Sequence, residues 1–222
     1  MNKMSRALTS LFIATTLLMS GCMGEPQIPD NFNGDDIYPA VAMDSFELIN
    51  QDNLSINSSE YEDKVLIVIF MFTRCPDVCP IVSANVKWLY GALEEQERDH
   101  VEVISITVDP WSDDSATLHS YRQGMSLEWD HFTGELEHLE PVWGNFGVGL
   151  KTVASDDYGY NSTESNENQT TEGRHHPAFD YLVDHSTGTI LVDKNGNQRV
   201  WWGDTDWVPE LALQDVRQLI SE

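Results

Sequence analysis

Cys75 and Cys79 stand with three residues between them in the stretch FMFTRCPDVCPIVSANV, residues 70–86. Two thiols this close can exchange a disulfide, supply half of a zinc site or clamp a soft metal ion. A redox pair of the common kind has two residues between its cysteines, so the extra residue needs a reason. If the intervening turn is helical, both sulfurs fall on one face, where they can oxidise to a disulfide or converge on one ion. Pro76 and Pro80 suit early helical positions, and the N–H groups and dipole at a helix start favour thiolate over thiol. Thiolates are soft donors that select Cu(I), zinc or iron–sulfur centres. A bridge across so short a loop would stabilise the chain very little, because that effect grows with loop length. Chemistry is therefore the better reason for the pair.

Two thiolates are an incomplete site, and a third donor is sought among seven histidines. His100, His119, His131 and His138 lie in polar contexts and read as ordinary histidines. His175 and His176 adjoin an acidic stretch. His185 differs, because it ends the strand-like segment FDYLVDHSTG at a sharp polar turn. Asp77, between the cysteines, reads as a turn or cap residue that also tunes the site. Asp184, beside the histidine, can orient a ligand or hydrogen-bond the turn backbone. Met71 and Met125 offer soft sulfur too, but methionine in apolar stretches usually fills the core.

The elements that position these residues follow from hydrophobic patterning. Residues 64–73 (KVLIVIFMFT) are almost continuously apolar and rich in β-branched side chains, as in a central strand covered on both faces. A helix is expected over 78–98, with Val82, Val86, Leu89 and Leu93 at helical spacing. Residues 101–108 (VEVISITV) read as a second buried strand, and 113–124 as a helix with acidic residues in its first turn. A short strand near His131-Phe132, a helix over 135–146, strands at 179–183 and 189–193 and a closing helix over 207–220 complete the order. Asn195-Gly196 signals a turn. Strand, helix, strand, helix, then a hairpin and a final helix is the order of an α/β domain with a thioredoxin-like fold, a central mixed sheet flanked by helices. Residues 155–173 carry five acidic and no basic residues and read as a solvated insertion on the surface.

The start of the chain reads as targeting sequence. Lys3 and Arg6 precede a mostly apolar run, Ala7 to Met19, too short to span a membrane comfortably. It leads into Leu18-Met19-Ser20-Gly21-Cys22, which resembles the lipobox of prokaryotic lipoproteins. That resemblance implies a signal peptide over 1–21, a lipid anchor on Cys22 and a domain held on the outer face of the cytoplasmic membrane. Residues 22–40, with Pro26, Pro29 and Pro39, read as an extended linker, and the domain is expected over 41–222. With Cys22 used by the anchor, Cys75 and Cys79 are the remaining thiols of a chain with three cysteines. Twelve basic against 37 acidic side chains give a formal charge of −25, which repels phosphate backbones and argues against nucleic-acid binding.

FTRCPDVCP at 72–80 together with YLVDHSTGTILVDKNG at 181–196 strongly resembles the Sco/SenC family of copper chaperones, and ITVDP (106–110) and HFTGE (131–135) match weaker signatures in the same order. The resemblance spans about residues 40–222. It implies a thioredoxin-like fold, copper held as Cu(I) and Cu(II) by Cys75, Cys79 and His185, and a possible Cys75–Cys79 disulfide. It also implies a part in building the dinuclear copper centre of cytochrome c oxidase, with the copper-receiving oxidase subunit as partner. Met71 and Arg74 depart from the pattern, which has a small residue and often a histidine there. The leading expectation is a metallochaperone. The alternative is an enzyme, a thiol–disulfide oxidoreductase in which Cys75 and Cys79 reduce the cysteines of an oxidase subunit. A peroxide-reducing enzyme is disfavoured because no P-x-x-x-T-x-x-C arrangement occurs, and zinc storage because a closed zinc site wants four ligands.

Overall fold

A computed structural model describes residues 32–75, 78–154, 181–185, 188–203 and 206–222. Among them, eight strands form one mixed sheet. In chain order these are β1 (Asp35–Ala42), β2 (Glu47–Asn50), β3 (Ser55–Asn57), β4 (Val65–Met71), β5 (Val101–Thr107), β6 (Asp130–Thr133), β9 (Gly188–Val192) and β10 (Asn197–Gly203). Across the sheet the order is β1-β10-β9-β4-β5-β6-β2-β3. The helices are α1 (Val78–Ala92), α2 (Glu95–Arg98), α3 (Ser115–Met125), α4 (Leu136–Asn145) and α5 (Pro209–Ser221). Among the described residues, β7 (Leu150–Ala154) and β8 (Tyr181–His185) pair with each other, as a separate antiparallel ribbon.

The unbroken apolar run explains the centre of the sheet. Every residue of β4 is buried, because the strand lies between β5, which runs parallel to it, and β9, which runs antiparallel. A strand with neighbours on both edges and cover on both faces leaves no position for a polar side chain. α1 packs beside α5, and α3 packs on β6. The buried face of α1 carries Val78, Cys79, Val82, Ser83, Val86 and Leu89, so the helix that sets the second cysteine also builds the core.

Three differences from the sequence reading have local causes. The helix expected over 78–98 is two helices, because Glu94 turns extended and forms a reciprocal cap with Glu97 that restarts the chain as α2. Residues 35–40 of the expected linker belong to β1, an exposed edge strand on β10. Its side chains do not alternate in burial, and Pro39 is tolerated because an edge strand leaves N–H groups outside the ladder. Just before it, buried Asp215 accepts hydrogen bonds from the Asn33 and Gly34 N–H groups (2.8 and 3.0 Å) and from Trp202 Nε1 (3.1 Å), tying this end of the chain to α5. The hairpin joins β9 to β10, turning at Gly196 with φ +77°, while β8 is given to β7. That turn is held by Asp193, whose carboxylate accepts from the N–H groups of Asn195 and Asn197, both at 2.9 Å. Among the described residues, no helix is long and apolar enough to cross a membrane. Cys22, Asp77, His175, His176 and the acidic stretch 155–173 lie outside the described residues.

Candidate metal centre

The chain leaves β4 at Met71, turns through Phe72, Thr73 and Arg74, and enters α1 at Val78. The Cys75 N–H donates to the Phe72 carbonyl at 3.2 Å, closing that turn. Cys75 and Cys79 are both thiols, exposed by only 5% and 3%. The backbone N–H of Cys79 donates to Cys75 Sγ at 3.5 Å, which places the first sulfur over the opening turn of the helix. A sulfur in that position receives the partial positive charge of the helix start, and the N–H stabilises thiolate more than thiol. That contact brings both cysteines to the start of α1.

The connection from β5 to α3 supplies the surroundings of the pair. Arg74 forms an ion pair with Asp109 (2.6 Å), whose carboxylate is wholly buried. Asp113, also wholly buried, accepts from the Thr73 N–H (3.1 Å), the Thr73 hydroxyl (2.5 Å) and the Thr107 hydroxyl (2.6 Å). Burial pushes the Asp113 carboxyl up to about 6, against the pull of those donors and with a further push from Asp109. Tyr121 on α3 places its hydroxyl 3.4 Å from Ser83 Oγ, one turn beyond Cys79 on α1. Burial raises Tyr121 to about 12, the Ser83 contact opposes this, and charge on Cys79 and Cys75 adds to it. The phenol therefore stays protonated beside the sulfurs. None of Asp109, Asp113, Tyr121 and Ser83 was marked by sequence reasoning. The ITVDP signature covers Asp109 but gives no hint of the turn it holds.

His185 closes β8, with Leu150 as its register partner, and Asp184 faces Lys151. Their side chains lie outside the described residues. The backbone nevertheless indicates direction. β9 begins at Gly188 and runs antiparallel to β4, with Thr189 opposite Ile69, so the chain arriving from His185 enters the sheet at the end where β4 leaves for Cys75. Gly188 is required there, because a Cβ would run into the Trp201 indole. Among the described residues, no group of three His, Cys, Asp or Glu side chains is gathered for a metal ion.

Among the described histidines, His100 and His138 are exposed and His119 is half-buried with its Nδ1 3.1 Å from Asp52 Oδ1, while His131 differs in environment. His131 is fully buried, its Nδ1 3.1 Å from the Trp129 carbonyl and its ring stacked on Trp129, and its Nε2 has no hydrogen-bond partner among the described residues. Burial lowers it to about 4. Because the folded value lies below the unfolded value near 6.5, the native state binds fewer protons. The stability this group contributes is then complete above pH 6.5 and is lost as pH falls towards 4, by about 3 kcal/mol in all. Asp113 has the opposite sign. Its raised value costs stability above pH 6, and that cost fades as pH falls towards the unfolded value. The His131→Phe variant isolates the first effect. In urea titrations at a series of pH values, its stability relative to the parent is expected to rise by about 3 kcal/mol between pH 6.5 and 4. An offset independent of pH would show that His131 is not buried neutral.

The sequence profile described as SCO1/SenC matches residues 35–221. A SCO2-like protein, RP587, of Rickettsia prowazekii is 30% identical over 151 residues, covering 68% of this chain and 64% of that protein. The chain thus spans a little under two thirds of that relative's length. A protein of Stutzerimonas stutzeri described as copper-binding is 27% identical over 199 residues, covering 90% and 87% of the two chains. In fold, the chain is similar to copper-bound ScoI of Bradyrhizobium japonicum, with a TM-score of 0.63, 23% identity, and coverage of 81% of this chain and 99% of that one. It is also similar to BsSco, described as carrying a disulfide switch and as one of a family of cytochrome c oxidase assembly proteins. There the TM-score is 0.59 and the identity 21%, with coverage of 85% and 97%. These likenesses bear out the thioredoxin-like fold with its central mixed sheet.

Proposed function

The chain belongs to the SCO1/SenC family, and from that premise we propose that it is a copper-binding chaperone that prepares or delivers copper for the dinuclear centre of cytochrome c oxidase. The observation that carries this reading is the pair of buried thiols at one helix start, with the Cys79 N–H on Cys75 Sγ. Two thiolates suit Cu(I), and the His185 imidazole would add the nitrogen that Cu(II) favours. The copper-receiving oxidase subunit is the proposed partner. Cys22 is the proposed lipid anchor, holding the domain on the outer face of the cytoplasmic membrane. Asp184 is proposed to orient a ligand and Asp77 to tune the site.

The same N–H contact also favours a second reading, a thiol–disulfide oxidoreductase, because it raises the thiolate fraction on which exchange depends. Anaerobic titration of the reduced protein with copper separates the two. A copper chaperone takes up one equivalent, with intense thiolate-to-Cu(II) absorption on adding the oxidised ion. An exchanger without a copper role takes up none with comparable affinity, and that result would overturn the copper reading.

A further inference from the structure

Two buried carboxylates hold the two residues directly ahead of Cys75. Asp113 takes both the N–H and the hydroxyl of Thr73, and Asp109 takes the Arg74 guanidinium. The two aspartates are themselves joined through Thr107, whose hydroxyl donates to Asp113 at 2.6 Å and accepts from the Asp109 N–H at 2.9 Å. All three side chains are fully buried or nearly so, at the point where β5 gives way to α3. Burying a carboxylate is costly, and fastening a short turn does not require one. Apolar packing would fix the chain without that cost. What the carboxylate adds is direction, because its two oxygens accept three hydrogen bonds and leave Thr73 one position.

We propose that Asp113 is a positioning residue for the thiol pair: by fixing Thr73 it sets where Cys75 enters the turn and so how close the two sulfurs are held. This rests on the reading that Cys75 and Cys79 act as a pair. A turn fixed in advance lowers the entropy lost when the sulfurs join, and so raises their effective concentration towards each other. The effect is read in the exchange with glutathione disulfide. One protein thiolate attacks the glutathione disulfide and releases one reduced glutathione. The second protein thiol, as thiolate, then displaces the other. Overall two protein S–H groups are oxidised to one S–S bond while one glutathione disulfide is reduced to two thiols.

The test compares the full chain with its Asp113→Ala, Asp113→Asn and Thr107→Val variants, equilibrated in glutathione redox buffers, with the melting temperature of each reduced protein measured in parallel. Asp113→Asn keeps the shape but turns one acceptor into a donor facing donors. Thr107→Val removes the hydroxyl that donates to Asp113 and accepts from the Asp109 N–H but leaves both carboxylates, and either variant serves if Asp113→Ala does not fold. The equilibrium constant for forming the protein disulfide is expected to fall about tenfold in the Asp113 variants, which makes the couple ~30 mV more oxidising, and to fall less in Thr107→Val. A merely structural anchor would lower the melting temperature and leave the constant within about twofold of the parent; that result overturns the proposal. If the parent itself forms no disulfide in this buffer and takes up no copper, both this inference and the reading of the site fail. A parent that forms the disulfide, beside variants with an unchanged constant, overturns the inference alone, and so does a parent that takes up copper but forms no disulfide.

Discussion

Changing either Cys75 or Cys79 to serine is expected to cost the protein nearly all of its copper affinity. Serine keeps the size but replaces a polarisable thiolate with a hard hydroxyl that stays protonated at neutral pH, and a soft d¹⁰ ion gains almost nothing from it. One sulfur cannot hold Cu(I) against competing thiols, because the second sulfur is donated at no cost in translational freedom. The loss should exceed the roughly 100-fold seen when a residue merely supporting a ligand is removed. Both positions are buried, so each serine also leaves a hydroxyl in apolar surroundings, at a cost of about 1–3 kcal/mol in stability. Competition with a chromophoric Cu(I) chelator measures the affinity, and circular dichroism checks that the variants stay folded. A folded Cys79→Ser protein that still binds Cu(I) with parental affinity would remove the sulfur pair from the copper reading.

His185→Ala should divide the two oxidation states. Cu(I) is satisfied by two sulfurs, so its affinity should fall by no more than about tenfold, ~1.4 kcal/mol. Cu(II) prefers a nitrogen donor, and its affinity should drop by at least the roughly 100-fold expected of a lost supporting group. The mixed thiolate–imidazole absorption should vanish with it. A pure thiol–disulfide exchanger predicts something else: the variant would exchange with glutathione at the parental rate, and no difference in Cu(II) binding would be found. Unchanged Cu(II) affinity and an unchanged spectrum in His185→Ala would exclude the imidazole as a ligand.

The parts of the fold legible in the sequence were those whose environment is uniform. β4 is buried along its length and β5 at every position but Glu102, so their composition alone identifies them. α1 was legible because its buried side chains recur at helical spacing. β1 was not, since a mostly exposed edge strand carries no alternation and its pairing with β10 depends on residues more than 150 positions away. The cysteines announced themselves by type and spacing. Asp113, Thr107 and Tyr121 did not, because an aspartate at a helix entrance, a threonine in a strand and a tyrosine on a helix are each ordinary in sequence. Only the fold brings Asp113 onto Thr73, 40 positions earlier in the chain. The departure at Arg74 was visible, but its buried partner Asp109 was not. A sequence therefore declares donor atoms more readily than it declares what holds them.

The separation of the β7–β8 ribbon from the eight-stranded sheet bears on how copper would leave. Two of the proposed donors sit at one helix start, and the proposed third arrives on a ribbon that, among the described residues, shares no backbone hydrogen-bond ladder with that sheet. Such a ligand set is a chelate of unequal arms. The sulfur arm is preassembled, while the local concentration of the imidazole arm depends on where the ribbon stands. An incoming donor from an acceptor protein need not displace all three arms together. If the proposed role holds, it would take the place of the single imidazole arm first, while the two sulfurs keep hold of the ion. Tethering β8 to β9 by an engineered crosslink would merge the arms, and transfer to an acceptor should slow even where equilibrium affinity rises.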